Sequence, residues 1–150
     1  MIDREARDEL AVLLRRLVAG RITNDDFDNR VRRSADRGVR AVGEHAWCLY
    51  DDHRTYRLTG RHQLPQAARQ EIARWIAFLY SDLEYDWPER SFYQIYNWPM
   101  NLLTLGWWER RKALEFARFR AAGEFEVRPF LSRAEFETAL RSPRLLTGAA

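Results

Sequence analysis

The sequence predicts an all-α protein, a single compact domain of about six helices with one short extended segment near 124–131. Three observations carry this. Apolar residues recur at helical spacing in most windows of the chain. Glycine and proline are few, 7 and 5 in 150 residues, and several sit where helices stop or start. Cysteine occurs once, so no disulfide framework substitutes for a core. At 150 residues the chain fits one domain, with an N-terminal helical hairpin (1–38) and a helical core (39–150).

The elements follow in order. In 3–19, Ala6, Leu10, Leu13, Leu14, Leu17 and Val18 share one helical face, with Asp3 as N-cap and Gly20 as stop. Thr23 and Asp26 form a capping box for a second helix that carries Phe27 and Val31 and ends at Gly38. Residues 39–52 repeat the spacing at Val39, Val42, Ala46, Leu49 and Tyr50. A polar connector, "HRTYRLTGRHQL", leads to Pro65, which suits a first helical turn. The helix that follows reaches about Ser81, with Ala68, Ile72, Trp75, Ile76 and Leu79 inward.

Residues 82–86 read as a loop. Trp87 and Trp98 each precede a proline and are therefore pushed out of helical geometry, while Pro88 and Pro99 start helices at 88–97 and 99–122, the latter bent near Gly106. Apolar residues wrap more than half of the last of these, which predicts a helix that is central or covered on two sides. Gly123 ends it, "EFEVRPFL" alternates like a strand or extended tail, and Ser132 with Glu135 caps a final helix with Phe136 and Leu140 inward. Pro143 stops that helix, and the closing "LLTGAA" frays.

"LAVLLRRLVAGRITNDDFDNRV", residues 10–31, resembles the SHOCT module, a short bacterial hairpin with leucines, then G-x-I-T, then acidic residues and Phe. The resemblance implies an oligomerisation or docking hairpin and no chemistry. The remainder resembles small bacterial proteins. Lys112 is the one lysine among 25 basic residues. Codon usage in a GC-rich genome accounts for such an arginine-rich composition, again pointing to a bacterial source.

The charges nearly balance, at +3, and the N-terminal "MIDREARDELAVLL" is no signal peptide. The longest nearly apolar run, 98–108, is too short to cross a bilayer. With the lone Cys48, these features predict a cytoplasmic protein. Short motifs for phosphate loops, nucleophile elbows and zinc proteases are absent from the sequence. His45, Cys48, Asp52 and His53 are the nearest approach to a metal set, since 45, 48 and 52 share a helical face. The plainer expectation is that Cys48 is a small buried apolar residue. The carboxylates Asp51, Asp52, Asp82, Glu84 and Asp86 offer a pair for acid–base work, and Cys48 beside His45 a nucleophile.

Aromatic residues dominate instead. Six Trp, six Tyr and eight Phe exceed what a small core ordinarily hides, and 79–99 is the densest stretch. Trp, Tyr and Arg carry most binding hot spots. The predicted function is therefore a non-catalytic protein–protein interaction module, an adaptor or an immunity or antitoxin-like binder without a cofactor. Its predicted contact residues are Tyr85, Trp87, Tyr93, Tyr96 and Trp98, rimmed by Asp82, Glu84 and Asp86. The partner is another protein or a second copy. Two alternatives stand beside it: a metal-dependent or carboxylate-based enzyme using His45, Asp52 and His53, and a nucleic-acid binder using the Arg/Phe helix 110–120. Against nucleic acid, acidic residues are spread nearly throughout, so no broad basic field exists. A membrane-surface role for 98–112 is the weakest reading.

Overall fold

A computed structural model of the chain describes residues 1–51, 53–88 and 107–141. The protein is all-α. Among the described residues the helices are α1 (Arg4–Val18), α2 (Asn24–Arg30), α3 (Arg37–Trp47), α4 (Gln66–Leu79), α5 (Trp107–Ala121) and α6 (Arg133–Arg141), with single 3₁₀ turns at Gly60–His62 and Phe125–Val127. α1 packs against α2, α3 and α4, and α4 also receives α3 and α6. No helix among the described residues is long and apolar enough to cross a membrane.

The first two helices form as their sequence dictates. Asp3 caps α1 by accepting from the Ala6 N–H (3.1 Å), and Ala6, Leu10, Leu13, Leu14 and Leu17 are buried. Thr23 and Asp26 close a reciprocal capping box on α2. Gly20 takes φ +64°, and a Cβ there would meet Thr59 Cγ2 at 2.2 Å, so the turn after α1 needs glycine on both counts.

α2 then ends at Arg30, eight residues before the expected stop. Gly38 belongs instead to the first turn of α3, capped by Asp36, which accepts from the Gly38 N–H at 2.7 Å. A Cβ on Gly38 would lie 2.9 Å from Arg7 Nη2, 3.0 Å from Phe78 and 3.1 Å from Asp36 Oδ1. Glycine is there to let a buried ion pair pass, not to end a helix.

That pair ties the N-terminal half together. Arg7 Nε donates to Asp36 Oδ2 (2.6 Å) and Nη2 to Oδ1 (3.1 Å), both side chains being buried. Arg7 Nη1 donates to the carbonyls of Leu83 (2.8 Å) and Ser81 (3.2 Å). Arg4 adds bonds to the carbonyls of Leu79 and Ser81, each 2.6 Å. The two arginines thus accept the chain as it leaves α4. Burial pushes the Asp36 carboxyl up, but Arg7 and the N–H groups of Asp3 and Gly38 outweigh it, and its pKa lies below the ordinary value.

Three further expectations change. α5 is not central: of its described side chains from Arg110 onward, only Phe119 is buried. Residues 124–131 are neither strand nor extended tail, because the Phe125–Val127 turn and the Glu124 N–H bond to the Leu131 carbonyl (2.8 Å) fold the segment back on itself. In α6, Ser132 accepts from the Glu135 N–H (3.3 Å), but Glu135 reaches back to the Leu131 N–H rather than to Ser132. This start places Phe136 and Ala139 toward the core and leaves Leu140 exposed. The expected elements at 88–106 and the Pro143 stop lie outside the described residues.

Candidate functional site

Sequence places the contact surface on 82–98, of which 82–88 lies within the described residues. Asp82, Glu84 and Asp86 are exposed, as a rim would be. Two of them are engaged within the chain: Asp82 with Arg4 Nη2 (2.6 Å) and Glu84 with the N-terminal amine (3.0 Å). Tyr85 and Trp87 are not contact residues, however, for both are interior. Trp87 has no exposed surface; its Nε1 donates to the Pro129 carbonyl (2.9 Å), and its ring meets Phe119 at 5.1 Å. Tyr85 lies among Phe78, Trp75 and Arg128, and its hydroxyl accepts from Arg128 Nη2 at 2.8 Å. Tyr93, Tyr96 and Trp98 lie outside the described residues.

Arg128 explains this burial. Its guanidinium sits 5.0 Å from the Trp75 and Phe119 rings and 6.0 Å from Trp87. The cation faces ring quadrupoles and, among the described residues, pairs with no carboxylate. Nothing near 87 in sequence announces that a residue 41 positions away seals it. Burial raises the Tyr85 pKa, a shift that Arg128 opposes.

Among the described residues no three His, Cys, Asp or Glu side chains gather to hold an ion. His45 stacks on Trp75 (4.5 Å between centroids), with Nε2 3.2 Å from Glu71 Oε1 in an approach that lacks hydrogen-bond alignment. Burial lowers the His45 pKa; Glu71 opposes that shift, and Arg128 and Arg74 add to it. Cys48 is exposed, contrary to expectation, because α3 ends at Trp47 and carries it past the last buried position, Ala46. His53 is exposed on the next loop, and Asp52 lies outside the described residues.

Exposed apolar side chains are scattered, Trp47 at the end of α3 and Leu140 on α6 among them, and three gather on α5 with the turn after it. Leu114 is 62% exposed, Phe125 50% and Phe116 44%. Arg110, Leu114, Ala117 and Ala121 fall four, three and four apart, which aligns them along one stripe roughly opposite Phe119. Arg118 flanks it. Phe116 lies on another side, beneath Arg120 at 5.9 Å. Glu115 is bound to Arg111 at 3.4 Å, so the exposed charge along this helix is chiefly positive. Sequence held a signal for it: a helix with apolar residues round more than half its girth must find cover on two sides or show some of them.

No family model, curated protein or solved structure matches this chain.

Proposed function

We propose that the protein is a non-catalytic interaction module that lays α5 into an apolar groove with an acidic rim on another protein. The observation that carries this reading is the 62% exposure of Leu114 on a basic helix that buries only Phe119 among its described side chains from Arg110 onward. Helix-in-groove recognition uses anchors at such spacing, and charge at the edge speeds encounter. Self-association through the 10–31 hairpin is less favoured, since Leu10, Leu13, Leu14, Leu17, Ile22 and Phe27 are spent inside the chain.

The test compares wild type with Leu114→Asp. A partner captured from the source cells, identified and rebound in pure form, loses affinity for the variant while the variant's Tm stays at the wild-type value. Equal binding by both chains overturns the reading. The exposed Phe116–Arg120 pair favours a second reading, base stacking beside phosphate contact. A salt-dependent shift with short single-stranded oligonucleotides, lost in Phe116→Ala, would select it.

A further inference from the structure

The loop between α3 and α4 is built more firmly than its exposure suggests. Asn24, buried at the start of α2, spends its side chain on holding it. Its Nδ2 donates to the carbonyls of Asp51 (3.0 Å) and Arg54 (2.8 Å), and its Oδ1 accepts from the Tyr56 N–H (2.8 Å). Its own backbone N–H donates to the Tyr56 carbonyl (3.1 Å). Tyr56 in turn accepts from the Asp51 N–H (2.7 Å), Thr55 is bonded to Asp25, and Leu58 is buried. An amide that satisfies both donors and its acceptor on one loop fixes that loop's shape.

The fixed loop borders an open hollow of about 480 Å³. That is within the size range of small-molecule sites. Arg54, Arg61, His53, His62, Thr55 and Tyr56 line it, with Asp51 as the single carboxylate among the described residues. One Asp51 oxygen already accepts from the His53 N–H at 2.9 Å. Among the described residues, neither Arg54 nor Arg61 lies within ion-pair distance of a carboxylate. Arg61 Nε donates to His62 Nε2 (3.0 Å), and the His62 ring lies 4.4 Å from that of Tyr56. Two guanidiniums lacking anions, two imidazoles and an aromatic wall thus share one cavity.

We propose that this hollow binds a small phosphate monoester carrying a planar ring. Arg54 and Arg61 take the phosphate oxygens, which suit the guanidinium fork, and Tyr56 with His62 supports the ring. The site is independent of the α5 surface.

The chain has three histidines, so their ring resonances report separately on this site and on the interior. Inorganic phosphate and adenosine 5′-monophosphate are titrated into the full chain at neutral pH. Saturable shifts of His53 and His62, with His45 unmoved and half-saturation on the order of 1 mM or below, support the proposal. Saturation by the nucleotide at lower concentration than by phosphate supports the planar ring; equal saturation overturns that part. The double variant Arg54→Ala, Arg61→Ala weakens binding about tenfold or more, whereas Arg57→Ala, outside the lining, leaves it unchanged. Shifts that never saturate, that move all three histidines alike, or that survive in the double variant overturn the site.

Discussion

The loop 82–88 and helix α5 both carry aromatic residues at high density, yet they use them oppositely. The loop turns Tyr85 and Trp87 inward and seals them with Arg128 and Phe119. The helix turns Phe119 inward and shows Leu114 and Phe116 to solvent. Counting rings therefore does not locate a surface. What decides is whether a distant segment returns to cover them.

Breaking the covered side produces the largest effect. Trp87→Ala empties a fully buried indole site and frees the Pro129 carbonyl, and it costs about 3–5 kcal/mol. Chemical denaturation monitored by circular dichroism reads this. Trp87→Phe retains most of the volume but loses the bond to Pro129, and so costs less. Asp36→Asn strands the Arg7 guanidinium without its counter-charge, at a cost of similar size, roughly 3–5 kcal/mol. Gly38→Ala forces a methyl against Arg7 and Phe78 and costs about 1–3 kcal/mol.

The pH dependence has two parts of the same sign. His45 is held below its ordinary pKa, so the unfolded chain takes the proton first. Its contribution is complete above a pH of about 6.5 and is lost as pH falls through the folded value. Asp36 is also depressed; its contribution is present above a pH of about 3.9 and is lost as acid protonates the folded carboxyl. Denaturation midpoints measured across falling pH decline in both windows. His45→Gln flattens the upper window and leaves the lower one in place.

The smallest stability effect belongs to the open side. Leu114→Asp changes stability by about 0.5 kcal/mol or less, since little packing is lost at that exposure. Its consequence is expected in partner binding alone, which is what separates a surface residue from a core residue.

Much of the fold was legible because the signals are local. Asp3, the Thr23–Asp26 box and the 3.6-residue apolar spacing of α1 and α4 act within one or two turns. The features that escaped depend on contacts far apart in sequence. Gly38 read as a stop because nothing near it shows that Arg7, 31 residues earlier, passes beside it. Residues 124–131 alternate like a strand, but no neighbouring strand pairs with them among the described residues, and Glu124 bonds to Leu131 instead. Trp87 was legible as non-helical from Pro88, and illegible as buried. The α3–α4 hollow gave no sequence warning either, because Asn24, which shapes it, looks like any polar residue beside a capping threonine.

Hydroxyl-radical footprinting of the purified chain, read residue by residue by mass spectrometry, tests the contrast most directly. Tyr85 and Trp87 stay unmodified while Leu114, Phe116 and Phe125 are labelled, despite the higher intrinsic reactivity of indole. Labelling of Trp87 at a rate matching Phe125 would contradict the account, for it would put the loop's rings on the outside.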